Sequence, residues 1–175
     1  MRYNLNISQK VETDLIYKLS EELLQKGFNA SNTIIISVSA DYSCVVGQLL
    51  RHSLSHEGEI CDGFSIDVPY PDQVWDLTYL CELAALVNLY TYKFKDKKIL
   101  LVEAGVIRGS NYKFVVDYLK ANSKIPNEIY TLALFENKGS KFKSDFVGDF
   151  YDDETQDLTF WWERYNKHWE NEPTV

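Results

Sequence analysis

The residues best placed to do chemistry stand close together as Glu103, Arg108, Gly109, Ser110 and Asn111. They follow four apolar residues, Ile99, Leu100, Leu101 and Val102, and they lead into an amphipathic stretch that opens at Ser110. Read as strand, turn and helix, with Val106 and Ile107 completing the turn, this order gathers several features that favour an anion. The helix start offers unpaired N–H groups and the positive end of its dipole. Gly109 lacks a Cβ, so backbone N–H groups can approach a ligand closely. Arg108 adds a fixed charge that forks onto phosphate or carboxylate, and Ser110 and Asn111 add side-chain donors. Glu103, at the end of the apolar run, is placed to hold sugar hydroxyls or a metal-bound sugar. The plainer reading is an ordinary strand-to-helix turn with a glycine and polar caps, and the segment by itself allows both.

Other candidates are less specific. Ser39, Ala40, Asp41, Tyr42 and Ser43 follow a second apolar run; Asp41 and Ser43 read as caps of the next helix, with ligand contact the alternative. His52 and His56 stand four apart but have no obvious third ligand, so a helix end accounts for them better than a metal. Cys44, Cys61 and Cys81 show no ligand spacing and read as small buried hydrophobes in a reducing compartment. Lys138, Lys141 and Lys143 form a basic cluster that suits either an anion or a solvated turn. The acidic run 149–154 reads as solvated surface, with magnesium binding the sharper alternative. Trp161 and Trp162 read as core anchors at a strand end, with stacking on a base the alternative.

Alternating elements must position these groups. Ser8 can cap a helix from Gln9 carrying Val11, Leu15, Ile16, Leu19, Leu23 and Leu24, which Gly27 can end. Ile34, Ile35, Ile36 and Val38 predict a strand buried on both faces. Residues 44–54 predict a helix. Phe64, Ile66 and Val68 alternate as a strand, stopped by Pro69 and Pro71. Asp72 can cap a helix carrying Trp75, Leu80, Leu83, Ala84 and Val87, followed by a charged turn over 93–98. Residues 99–102 are the clearest strand, and 110–120 a helix with Phe114, Val115 and Leu119 inward. Residues 129–135 predict another strand, 146–150 and 158–161 weaker ones, and 163–169 a helical tail. Alternation of this kind specifies an α/β fold, an open, mostly parallel, twisted sheet with helices on both faces. Ligands of such sheets bind beyond the carboxyl ends of the strands, where the loops 39–43 and 103–111 fall.

The chain has 175 residues, 45% of them hydrophobic and 14% aromatic, enough for one domain with a sizeable core. A formal net charge of -8 disfavours a duplex nucleic-acid binder. No apolar run approaches the roughly 20 residues of a membrane span. The first residues, Met1, Arg2, Tyr3 and Asn4, lack the apolar region of a signal peptide, so a cytoplasmic location is expected.

Residues 98–111 resemble the phosphoribosyl-pyrophosphate (PRPP) motif of the type I phosphoribosyltransferases: four apolar strand residues, two acids, a spacer and a Thr-Gly-x-Thr phosphate loop opening a helix. The resemblance extends to both sides. Residues 34–54 are similar to the strand, pyrophosphate loop and helix that open the family's core. Residues 134–148 resemble the base-proximal strand and hood of the purine branch, and Phe160, Trp161, Trp162 and Glu163 resemble the Pro-Trp-Glu of its xanthine-guanine members. The match covers about 30–165 and rests on the order of several partial motifs.

The resemblance implies a single domain over 1–175, with a core over about 30–136 and a small hood over about 137–165 joined by the N-terminal helix. It implies Mg2+ as cofactor, a small phosphoribosyl or nucleotide ligand, and a homodimer. It places the phosphate and ribose on Val106, Ile107, Arg108, Gly109, Ser110 and Asn111, with Glu103 the catalytic-site acid. Pyrophosphate falls on Ser39, Ala40, Asp41 and Tyr42, and the base on Asn137, Phe146 and Val147.

The departures fall on functional positions. Ala104 stands where the family has its second acid, and Ile107 where many purine enzymes have an acid near the base. Arg108 and Asn111 replace the two threonines, and Asn137 replaces the lysine that reads the purine's exocyclic oxygen. Asp157 falls where an aromatic residue stacks on the base, and Asp41 carries the wrong charge for pyrophosphate. Residues 72–89 correspond to the family's mobile catalytic loop but read as an amphipathic helix. Two functions follow: Mg-dependent phosphoribosyl transfer to a purine-like base, or a catalytically reduced nucleotide-binding regulatory or interaction protein on the same fold.

Overall fold

The computed structural model describes residues 3–38, 43–56, 58–66, 68, 84, 97–121 and 128–162. The loop at Ser39, Ala40, Asp41 and Tyr42, the expected helix over 72–89 apart from Ala84, most of the charged turn and the tail from 163 lie outside the described residues.

Seven strands and three helices are described: β1 (Tyr3–Ile7), α1 (Gln9–Gln25), β2 (Thr33–Val38), α2 (Ser43–Leu54), β3 (Asp62–Ile66), β4 (Lys98–Val106), α3 (Ser110–Ala121), β5 (Ile129–Asn137), β6 (Phe146–Tyr151) and β7 (Gln156–Phe160). Five strands form one sheet in the order β3-β2-β4-β5-β6, and every pairing in it is parallel. The chain leaves β2 toward β3 and then crosses back to β4 on the other side of β2. The direction of winding therefore reverses between β2 and β4, the place where open α/β sheets bind ligands.

The β-branched run of β2 is buried along its whole length because both faces are covered. Ile35 joins Leu100, Val102, Leu132 and Leu134 beneath α1 and α2. Ile34, Ile36 and Val38 join Ile99, Leu101 and Ala133 beneath α3. Each such side chain contributes roughly 1.5–3 kcal/mol through its removal from water. α2 lies close to β2 because Gly47 has no Cβ: one added there would sit 2.0 Å from the Ser37 Oγ.

α1 starts as expected, with Ser8 Oγ accepting from the Val11 N–H at 3.3 Å. Gly27, at φ +77, follows its last turn. Its inward stripe is narrower than the sequence suggests: Ile16, Leu19 and Leu23 are buried, but Val11 and Leu24 are exposed. On α3 the buried residues are Tyr112, Val115 and Leu119, and Phe114 is half-buried.

The structure goes beyond the sequence reading at two strands and corrects it at a third, β4. Tyr3–Ile7, to which the sequence reading assigned no element, is a strand paired in parallel with β7 as a separate two-stranded sheet. β4 does not stop at Val102 but continues to Val106, so Glu103 and Ala104 belong to the strand. β6 is an edge strand of the main sheet, hydrogen-bonded to β5. No described helix is long and apolar enough to cross a membrane.

Candidate functional site

The carboxyl end of β4 is held by three neighbours. Ser43 Oγ, at the start of α2, accepts from the Ala104 N–H at 3.1 Å. On the other side β4 pairs with β5, with Glu103 opposite Ala133 and Val106 opposite Glu136. The third neighbour is Tyr112, fully buried, whose hydroxyl donates to the Leu132 carbonyl and lies against the Glu103 backbone. At this level the alternation of both strands breaks. Ala104 faces the α1–α2 core and Val106 the α3 core, while the consecutive Leu134 and Phe135 share one core.

Beyond Val106 the turn is short: Ile107, Arg108 and Gly109, then α3 from Ser110. Gly109 adopts φ +73, a left-handed conformation that favours glycine. Lys113 N–H reaches the Gly109 carbonyl at 3.0 Å and closes the first helical turn. The earliest N–H groups of α3 have no partner within the helix. Arg108 and Ser110 are exposed beside them, Ile107 is exposed, and Asn111 is half-buried. Turn and helix start thus come together as the spacing predicts.

Glu103 lies elsewhere than expected. It is only 5% exposed, inside the strand rather than at its mouth. Its carboxyl shares a hydrogen bond with the Asn111 side chain, while Oε1 is buried with no hydrogen-bond partner. Burial pushes its pKa up to about 8, against the opposing pull of the Asn111 hydrogen bond. At neutral pH the protonated form therefore dominates. Ala104, where a second acid was sought, is 2% exposed in the α1–α2 core. Glu136, the other buried carboxylate at this edge, accepts from the Ser144 N–H at 2.7 Å and pairs with Lys143 at 3.3 Å.

The hood residues meet the turn differently from the expected base contacts. Asn137 Nδ2 donates to the Ile107 carbonyl at 3.1 Å, and Oδ1 accepts from the Gly139 and Asp153 N–H groups at 3.1 and 3.3 Å. Its amide fastens the turn to the end of β5 and the segments that follow β5 and β6. Phe146 is 2% exposed in the α1-side core, level with Leu132 and edge-on to Phe28 at 5.5 Å. Val147, half-buried, is paired with Ala133. The Trp161 indole N–H donates to Glu12 and ties the end of β7 to α1, while Trp162 stacks on Phe160 at 4.7 Å.

Two participants were missed. Phe142 covers one side of Gly109 and lies 5.5 Å from the Tyr112 ring. Tyr112 itself was passed over because a tyrosine early in a helix reads as surface. Its only sequence signal is helical spacing with Val115 and Leu119.

A magnesium ion held by the protein does not fit these residues. It needs oxygen ligands, usually one or two carboxylates beside phosphate. Glu103 is buried and favours its protonated form, Ala104 has no oxygen to offer, and Glu136 is engaged. Among the described residues no three His, Cys, Asp or Glu side chains gather as a metal site.

No protein-family model matches the sequence, and no match is found among curated proteins. Solved structures do match. A purine phosphoribosyltransferase from Pyrococcus horikoshii Ot3 superposes with a TM-score of 0.62 at 18% identity, over 98% of this chain and 97% of that one. The Helicobacter pylori xanthine-guanine-hypoxanthine phosphoribosyltransferase gives 0.65 at 15% identity, over 97% and 100%. A hypoxanthine-guanine-xanthine phosphoribosyltransferase gives 0.55 at 13%, over 82% and 76%. With its parallel five-stranded sheet, helices on both faces and near end-to-end superposition, the chain has the type I phosphoribosyltransferase fold.

Proposed function

We propose that this protein binds a phosphorylated ribose, PRPP or a nucleotide, at the carboxyl edge between β2 and β4, and that it acts as a binding module with little phosphoribosyl transfer. The observation that carries the reading is the turn from Val106 into α3. At the reversal point of the sheet, a left-handed Gly109 leads directly into a twelve-residue helix whose first N–H groups face away from its own ladder, with Arg108 and Ser110 exposed beside them. Such a helix start favours a phosphate.

The weak transfer follows from the acids. Departure of pyrophosphate leaves a ribosyl cation-like transition state that needs clamped hydroxyls and nearby negative charge. Glu103 is buried and favours its protonated form, and Ala104 supplies nothing. Loss of such contacts costs a few kcal/mol, hence roughly a hundredfold in rate or more. Asn137, whose amide is committed to the Ile107 carbonyl and two N–H groups, does not replace the missing base reader.

The second reading, an active transferase, draws on the superposition. The chain spans 97% and 100% of two purine phosphoribosyltransferases. A thermal-shift panel of PRPP, ribose 5-phosphate and purine nucleotides, run beside an assay for pyrophosphate release from PRPP with purine bases, separates the two. A saturable shift without turnover supports the binding module, and turnover supports the transferase. No shift with any ligand at millimolar concentration removes both.

A further inference from the structure

We propose that Glu103, Asn111 and Tyr112 form a proton-operated latch between β4 and the first turn of α3: the neutral carboxyl holds the helix start down on the strand, and loss of its proton releases that turn. The latch is built from the chain's own residues and needs no ligand, so its test leaves the binding function proposed above where it stands.

The geometry puts the carboxyl where a charge has little support. Glu103 pairs across the sheet with Ala133, a residue of the α3-side core. Side chains opposite each other on paired strands share a face, so Glu103 lies on the α3 side, 5% exposed. Asn111 and Tyr112, consecutive in the first turn of α3, both reach it. The Asn111 side chain shares a hydrogen bond with the carboxyl, and the Tyr112 hydroxyl lies against the Glu103 backbone. That hydroxyl donates to the Leu132 carbonyl, so its proton is committed, and Glu103 Oε1 is buried with no hydrogen-bond partner. A neutral carboxyl tolerates such a site. An ionised one is a buried charge supported by one amide, and it needs water. Asn111 and Tyr112 lie over it, so hydrating the carboxylate means lifting the first turn of α3.

The other charged groups at this edge do not stand in for water. On β5, Glu136 is 1% exposed and carries the Ser144 N–H and Lys143, and its charge opposes a second one nearby. Asp149 on β6 is exposed, Asp152 and Asp153 after it are half-buried, and all three add negative charge. Among the cations, Arg108, Lys138 and Lys141 are exposed, Lys143 is paired with Glu136, and Lys113 with Asp117. β2 offers Ile36 and Val38 to this face, neither of them titratable. Burial raises the Glu103 pKa to about 8, and the Asn111 hydrogen bond opposes it.

Amide hydrogen exchange of the full chain, read by NMR between about pH 6 and about pH 9, tests the latch beside a carbon-13 titration of the Glu103 carboxyl. With the intrinsic pH dependence of exchange divided out, protection at Lys113 and Phe114 is expected to fall about tenfold or more in wild type and less than about twofold in Glu103→Gln. The fall should share its midpoint with the carboxyl, at about 8. The proposal is overturned by protection that holds to about pH 9, by an equal fall in Glu103→Gln, or by a carboxyl that titrates in the ordinary range. If Glu103→Gln does not fold, the wild type decides alone: a common midpoint for carboxyl and exchange supports the latch, and separate midpoints overturn it.

Discussion

Phe142 stands so close to Gly109 that a β-carbon built on the glycine would lie 2.3 Å from the Phe142 Cβ. The β5–β6 connection therefore rests on the turn that opens α3, through residues 33 positions apart in the chain. Gly109 is needed both for this approach and for its φ of +73. Gly109→Ala is expected to destabilise the fold by about 2 kcal/mol or more, from left-handed strain plus overpacking. Urea denaturation of the single variants and of Gly109→Ala with Phe142→Gly, which removes the clashing β-carbon, checks it. The double variant is expected to recover the overpacking part and keep the strain, so the two effects are less than additive.

Asn137 gives a second expectation. Asn137→Asp keeps an acceptor for the Gly139 and Asp153 N–H groups but puts an oxygen against the Ile107 carbonyl. The turn should loosen. A stability loss of about 1–2 kcal/mol is expected, with faster amide exchange concentrated at Ile107 and Arg108. Faster exchange spread evenly over the chain would contradict a local fastening.

Glu103 makes stability depend on pH. Its folded pKa of about 8 lies above the ordinary 4.5, so the native state holds this proton more tightly than the unfolded chain. The stabilising contribution is complete below about pH 4.5 and is lost as pH rises through about 8. The groups around the carboxyl are Asn111, Tyr112 and, further along the edge, Glu136. The tyrosine's own pKa is raised, first by burial and then by Glu103, so at these pH values it stays neutral. Chemical denaturation between pH 5 and 9 should show wild type losing on the order of a few kcal/mol that Glu103→Gln keeps. Equal slopes for the two proteins would contradict a buried, protonated Glu103.

The contact between Trp161 and Glu12 supports a fourth expectation. Glu12 is 1% exposed, and burial raises its pKa while the indole N–H pulls it down. Trp161→Phe removes that donor and leaves a buried carboxyl with both oxygens unsatisfied, at a cost of about 1–3 kcal/mol. Adding Glu12→Leu to Trp161→Phe should recover part of it. Thermal melts of both variants measure this, and a silent Trp161→Phe would contradict the contact.

What was legible in the sequence follows the range of the forces involved. The runs at 34–36 and 99–102 read as buried strands because β-branched and apolar continuity is a local property, and the alternation of elements then specified the sheet. β1 was illegible: Leu5 and Ile7 alternate over too short a stretch, and its partner Gln156–Phe160 lies at the other end of the chain. β4 was cut short at Val102 because Glu, Ala and Gly are poor strand formers. Pairing with β5 overrides that preference as far as Val106. The turn and its helix were readable from Gly109 and Ser110. The direction of the Glu103 side chain was not, since it depends on α3 lying across the strand. The covering of Gly109 by Phe142 likewise depends on a contact no local pattern encodes.

The central claim is that a phosphate sits on the start of α3. The most direct measurement is a titration of the 15N-labelled protein with ribose 5-phosphate, followed by amide chemical shifts. The account expects the largest saturable changes at Gly109, Ser110, Asn111 and Tyr112, and their loss by roughly tenfold in affinity in Arg108→Ala. Saturable shifts that map to another part of the molecule, or none at all, would contradict it.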